Sequence, residues 1–343
     1  HEVLTHGVPI PRYPDLRMGL PATSVLVRKW RRTRPDVVHV LTEGPLGWSA
    51  VSAARKLKLP VVSDFRTNFH SYSQHYGFGW LSRPILSYLR KFHNRTLWTL
   101  VPTEALRAEL GALGFRNLRV IARGVDTALF DPARRNQTLR AAWNVGPDDP
   151  VLLHVGRIAA EKNLQALIAA YAAARLQAPR SRLVLVGDGP ARAELEAQCP
   201  DAIFVGTRRG EDLAAHYASA EVFLFPSLTE TYGNVTLEAL ASGLAVVAFD
   251  YAAAAQTIRH CDNGLLAPVG DTDAFAALAA STVSDVAHAR RLGNRARETA
   301  LKLGWDPVVR QLETLLEIAA GVTTFSYGTS SDQRTRDLVR QSR

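Results

Sequence analysis

Four side chains in this 343-residue chain have types and spacings that suit one piece of chemistry. Glu230 and Glu238 stand with seven residues between them, around the turn-forming triplet Tyr232-Gly233-Asn234. An apolar strand, Val222 to Phe225, ends just before them. A helical pattern that packs Val235, Leu237, Leu240 and Ala241 begins just after. That spacing puts Glu230 in a strand-to-helix loop and Glu238 about one turn into the helix. The N–H groups of Gly233, Asn234, Val235 and Thr236 then open outward at the positive end of the helix dipole, where a phosphate is stabilised. Arg157 and Lys162 lie in Gly156-Arg-Ile-Ala-Ala-Glu-Lys-Asn163, also directly after a strand. They can converge on a diphosphate, the arginine as a fork of donors and the lysine as a point charge. Amides and cations for phosphates, with carboxylates for hydroxyls, fit a nucleotide sugar. The plainer alternative makes Glu238 a first-turn acid favoured by the dipole, and Arg157 and Lys162 solvated loop cations. Their joint occurrence in one chain weighs against it.

The elements around these residues alternate strand and helix without interruption. In the second half, strands are expected at Val151–Val155, Arg182–Val186, Ala202–Val205, Glu221–Phe225 and Ala245–Phe249. Short apolar runs of this kind, separated by helical patterns, argue for a parallel sheet covered on both faces. In the first half, Asp36–Leu41, Pro60–Phe65, Leu97–Pro102 and Leu118–Ile121 read as strands. Helices are expected at Val25–Trp30, Ser49–Leu57, Leu81–Thr96 and Glu104–Gly114. His1 to Pro21, rich in Pro and Gly, reads as a connecting loop.

The stretch Phe225-Pro-Ser-Leu-Thr-Glu-Thr-Tyr-Gly-Asn-Val-Thr-Leu-Glu-Ala-Leu-Ala-Ser-Gly243 resembles the signature of the retaining glycosyltransferases of family 4, which have the GT-B fold. The resemblance runs from about Val8 to Leu316. It implies an α/β chain of two Rossmann-like doubly wound domains facing across a cleft. The expected division is residues 1–134, 135–304, a helix at 305–321 that crosses back to the first domain, and a disordered tail at 322–343. The first recognisable element resembles one midway through the family's first domain, so the resemblance implies that this domain lacks about 55–70 residues at its start.

Carried over residue by residue, the resemblance has Glu230 contact the donor sugar and Glu238 hold the ribose hydroxyls. Arg157 and Lys162 match the pair that stabilises the leaving nucleoside diphosphate. Gly187, in Val186-Gly-Asp-Gly-Pro190, lines the donor pocket, and Gly206 ends the strand where backbone meets the base. The family often places a histidine in a His-Thr context near the transferred sugar. Here Arg66 precedes Thr67, so the match is imperfect, and His70 four residues on is the candidate in its place. The implied mechanism is front-face substitution with retention at the anomeric carbon. It uses no metal or other cofactor, the nucleotide sugar being a substrate. The sole Asp-x-Asp triplet, Asp271-Thr-Asp273, precedes a helical run and reads as a helix cap rather than a cation site. Thr42–Gly47, Phe69–Gly77 and Arg123–Asp126 look most like the bacterial GDP-mannose-dependent α-mannosyltransferases. A UDP-sugar donor is the first rival. A sugar-nucleotide epimerase is the second, and a nucleotide-sugar-binding protein without turnover the third. The acceptor is expected to be a lipid or glycan.

Bulk composition narrows the remaining classes. Apolar residues make up 47% and charged residues 21%, which is globular. No apolar run approaches the ~18–20 residues of a membrane span. Two cysteines, Cys199 and Cys261, give neither a disulfide framework nor a metal spacing. No secretory signal is evident, and the cytoplasm is the expected location. The net charge of +9 is uneven: residues 1–134 carry 20 Lys/Arg against 9 Asp/Glu, and the remainder 21 against 23. A basic first half suggests an anionic partner. Nucleic acid is excluded for want of any recognition motif. An anionic membrane surface is then the expected partner, with the basic, apolar stretch Leu81–Thr96 as a candidate face.

Overall fold

The computed structural model describes residues 4–10, 13–66 and 82–322. His70 and the tail at 323–343 lie outside the described residues. The chain divides into two units, His1–Ala122 with Val308–Arg343, and Arg123–Pro307.

The first unit holds a parallel sheet in the order β3 (Val38–Val40), β4 (Val61–Asp64), β5 (Trp98–Val101) and β6 (Leu118–Val120). These strands are the short apolar cores of the longer runs read from the sequence. Helices Thr23–Arg32, Pro45–Lys56, Ser82–His93 and Glu104–Ala112 connect and cover them. The C-terminal helix Trp305–Ala320 lays Val308, Leu312, Leu315 and Leu316 against Val62, Trp98, Leu100 and Ile121 of this sheet. One expectation is corrected here. The segment before Pro21 is no loop: β1 (Gly7–Ile10) and β2 (Tyr13–Gly19) form an antiparallel pair, with Val8 opposite Met18 and Pro9 opposite Arg17. Proline is tolerated because a two-stranded ribbon is all edge, so a missing N–H need not break a ladder.

The second unit is a six-stranded parallel sheet in the order β12-β11-β10-β7-β8-β9. Its strands are β7 (Val151–Val155), β8 (Arg182–Val186), β9 (Ile203–Gly206), β10 (Val222–Phe225), β11 (Ala245–Phe249) and β12 (Leu265–Ala267). Strands β7, β10 and β11 are buried along their whole length, as expected of a sheet covered on both faces. From β7 the chain winds outward through β8 and β9, and β10, β11 and β12 are laid down on the other side. The strand order therefore reverses between β7 and β10. In open α/β sheets such a switch point parts the connecting loops and leaves a crevice at the carboxyl ends of the strands. Asp271 caps the helix Thr272–Ser284, its Oδ1 accepting the Ala274 amide at 2.9 Å, as its position before a helical run predicts.

Candidate functional site

The loop after β7 carries Arg157 and Lys162, the loop and helix after β10 carry Glu230 and Glu238, and the switch point makes the two connections neighbours. Lys162 is ion-paired through Nζ to Glu230 Oε1, across 68 residues of sequence. Both side chains are largely buried, at 12% and 14% exposure. The Ser227 hydroxyl donates to the same Glu230 oxygen at 2.7 Å, and the Tyr251 hydroxyl to the Glu230 carbonyl at 3.1 Å. Glu230 is thus held from both of its sides in the loop. Arg157 pairs with Glu161, four residues on, whose carboxylate is fully buried. Thr229 Oγ1 donates to the Glu161 carbonyl at 3.1 Å, which ties the two loops together.

Close backbone packing fixes the β7 loop from its other side. Gly187 follows β8 with φ +139°, and a Cβ there would lie 1.9 Å from the Gly156 carbonyl oxygen. Its N–H donates to the Gly206 carbonyl at 2.9 Å, while Ile158 donates to the Asp188 carbonyl at 3.0 Å. A side chain at Gly187 would therefore push Gly156 and Arg157 out of place. Gly206 ends β9 with φ +73°.

Glu238 lies on the helix Asn234–Ala241 and accepts from the Tyr217 hydroxyl at Oε2, 2.9 Å. Burial pushes the Glu238 carboxyl up from its ordinary value, and the Tyr217 hydrogen bond opposes that rise. Tyr217 is itself fully buried, which drives its own pKa well up, with the Glu238 charge adding to the effect. The helix opens at Gly233, in the left-handed region at φ +93°. This corrects one detail of the expected anion cradle. The Thr236 N–H closes back on the Gly233 carbonyl at 3.0 Å, so the open first-turn donors are those of Asn234 and Val235.

His154 lies beneath these groups on β7. It is fully buried, and Nδ1 donates to the Leu224 carbonyl at 3.0 Å. Burial holds its pKa down to about 4, with Lys162 adding to the drop and the Leu224 carbonyl and Glu230 opposing it. The ring is neutral at physiological pH, and Nε2 carries an unpartnered lone pair among the described residues.

Of the residues expected from sequence, the second unit gathers Arg157, Lys162, Gly187, Gly206, Glu230, Gly233, Asn234, Val235, Thr236 and Glu238. Arg66 stands in the first unit, where its guanidinium holds Asp64 Oδ2 at 2.6 Å, and His39 Nε2 holds Asp64 Oδ1 at 2.9 Å. Six participants were not anticipated: His154, Glu161, Tyr217, Ser227, Thr229 and Tyr251. Two had a signal. Glu161 is the one acid in the loop that carries Arg157 and Lys162, and His154 is the one polar residue in Val-Leu-Leu-His-Val.

Comparison with known proteins gives the family and the fold. Residues 149–285 match the family described as Glycosyl transferases group 1, and residues 1–129 match Glycosyltransferase Family 4. A GDP-mannose-dependent alpha-mannosyltransferase of Mycobacterium tuberculosis is 36% identical over 327 residues, covering 94% of this chain and 84% of that protein. The sulfoquinovosyl transferase SQD2 of Arabidopsis thaliana is 33% identical, covering 88% of this chain and 60% of its own. Among solved structures, Anabaena Alr3699/HepE in complex with UDP-glucose superimposes with a TM-score of 0.74 at 22% identity, covering 86% of this chain and 81% of that one. The fold is that of the GT-B glycosyltransferases.

Proposed function

The chain belongs to glycosyltransferase family 4, and from that premise we propose that it transfers mannose from GDP-mannose to a lipid or glycan acceptor, with retention at the anomeric carbon. The observation that carries the reading is the ion pair of Lys162 with Glu230 at the switch point of the second unit, with Arg157 and the Asn234 and Val235 amides on the same two strand-to-helix connections. In this proposal the donor diphosphate takes Lys162 from Glu230. Glu230 then accepts from a hydroxyl of the sugar, with Ser227 keeping it aimed. As the glycosidic bond breaks, negative charge grows on the departing phosphate, where Arg157, Lys162 and the two amides meet it. The leaving phosphate takes the acceptor's proton on the same face, and no metal ion enters the scheme.

A UDP-sugar donor is the second reading; the relative named a sulfoquinovosyl transferase favours only a sugar other than mannose. A panel of radiolabelled GDP-mannose, UDP-glucose, UDP-N-acetylglucosamine and UDP-sulfoquinovose separates the two. GDP-mannose is expected to bind tightest and to be the donor consumed when acceptor is supplied. Preference for a UDP-sugar would replace the donor, and failure of all four to bind would overturn the reading.

Glu238 is assigned to the ribose hydroxyls and Tyr217 to positioning it. Glu238→Ala is expected to weaken GDP binding by about 1–3 kcal/mol, the loss of charge-assisted hydrogen bonds. Its carboxylate binds hydroxyls in the ionised form, so affinity falls as pH drops through the raised Glu238 pKa. Tyr217→Phe removes the hydrogen bond that lowers that pKa. The acid limb of the binding profile should therefore move to higher pH. A 2′,3′-dideoxy nucleotide should bind both variants as it binds wild type. An unmoved acid limb, or equal losses with the dideoxy nucleotide, would remove Glu238 from the ribose.

A further inference from the structure

Strands β7 and β10 separate at the switch point, and a histidine fills the opening. They are in register only at Val222 with Leu152 and Phe223 with Leu153, although β7 runs on to Val155 and β10 to Phe225. On their other edges both stay paired to the end, Val155 with Val186 and Phe225 with Ala248. The opening therefore lies between β7 and β10 alone, and His154 stands in it. Its Nδ1 donates to the Leu224 carbonyl at 3.0 Å, supplying the donor that the ladder no longer brings.

That bond fixes the tautomer. With Nδ1 protonated, a neutral ring offers Nε2 as an acceptor only. Nε2 is buried and has no partner among the described residues, and a buried acceptor left idle calls for an explanation. The Leu224 carbonyl does not provide one, since an asparagine amide would serve it without a spare lone pair. Nε2 faces the start of the loop that carries Arg157 and Lys162, 3.6 Å from where a Cβ on Gly156 would lie.

Any partner for Nε2 must bring a hydrogen. The Glu230 carboxylate and the phosphates of a nucleotide accept and do not donate. Solvent is shut out, because His154 is fully buried. Lys162 has three N–H donors and spends one on Glu230. Burial first, and the charge of Lys162 after it, keep the ring neutral, and Lys162 bears on it more strongly than Glu230 does.

We propose that His154 is a positioning residue for Lys162: when the donor diphosphate draws the ammonium off Glu230, Nε2 accepts one of its N–H bonds and aims the rest at the phosphate. The inference rests on the donor reading above. A neutral partner suits the role. A carboxylate behind the ammonium would cancel charge that the departing phosphate needs, whereas an imidazole orients the ammonium and leaves its charge intact.

His154→Asn separates the two ends of the ring. The asparagine Nδ2 takes the place of Nδ1 on the Leu224 carbonyl, and the Nε2 lone pair is gone. Transfer kcat/KM should fall about 10- to 100-fold, the loss of one hydrogen bond to a charged group. In a Lys162→Ala background the same change should cost less than about twofold, because the bond is already absent. A second measurement needs no substitution at His154. In the nitrogen-labelled wild-type chain, the Nε2 resonance of His154, assigned through its bonds to the backbone, should be that of a free acceptor without nucleotide. Saturating GDP should move it upfield to that of a hydrogen-bonded acceptor, and in Lys162→Ala with saturating GDP it should stay where it was. A resonance that GDP leaves unmoved, or moves equally in Lys162→Ala, overturns the proposal. So does a loss from His154→Asn that is the same in both backgrounds. GDP titration keeps the failures apart. A chain that binds no GDP fails the donor reading and this inference with it, whereas one that binds GDP with Nε2 unmoved fails this inference alone.

Discussion

Replacing Lys162 with alanine is expected to lower kcat/KM by ~10²–10³, the loss of one preorganised donor at the point where negative charge develops. The effect is large because the ammonium is mostly shielded from solvent and water cannot take over its role. Glu230→Ala makes the complementary case. Transfer should fall, because the sugar loses its carboxylate. GDP should bind as well as before or better, because Lys162 no longer has Glu230 as a competing partner. Steady-state kinetics beside GDP titration check both. A Glu230 variant that loses GDP affinity and turnover in parallel would show that the carboxylate supports the nucleotide directly, and the exchange of partners at Lys162 would be wrong.

The pairing of Lys162 with Glu230 could not be read from the sequence, although its members could. Arg157, Lys162, Glu230 and Glu238 each follow a strand that announces itself as an unbroken apolar run, and the alternation of strands and helices implies a doubly wound sheet. Which loops become neighbours depends on strand order. The adjacency of β7 and β10 places Lys162 on Glu230, and local pattern carries no trace of it. Tyr217 was missed for the same reason. It looks like one more apolar position of the helix Gly210–Ala218, and only the packing of that helix against Asn234–Ala241 turns its hydroxyl on Glu238. Local chemistry misled in two smaller places. Pro9 and Pro14 disguised the β1–β2 ribbon, and Leu265–Ala267, three residues between Gly264 and Pro268, was too short to register as a strand. At Gly233 the turn is tighter than a generic helix start, and it consumes the Thr236 amide.

The second large effect concerns stability of the unit that holds the proposed donor site. Arg140 is 1% exposed, and its Nη1 lies 3.2 Å from both Glu221 oxygens. Arg135 reaches the same carboxylate at 2.5 Å, and the Val151 amide at the start of β7 donates to it at 2.8 Å. The guanidinium also donates to the carbonyls of Ser219, Gly146 and Asp149. Glu221→Ala leaves a buried cation without its counter-charge and a strand amide without its acceptor. The expected cost is about 3–5 kcal/mol. Removing both charges should cost less, because an apolar pair of similar volume leaves no desolvated cation; Arg140→Met with Glu221→Leu is the variant to compare. Urea unfolding followed by tryptophan fluorescence measures both, since Trp143 is buried in this unit's core. With two units the transitions need not coincide. Adding GDP assigns them, because a ligand stabilises only the unit that binds it. The transition that GDP shifts should be the one that Glu221→Ala moves to lower urea. If the double variant is as unstable as the single, the cost lies in lost packing at the base of β7 and β10, and the buried charge pair is not what holds it.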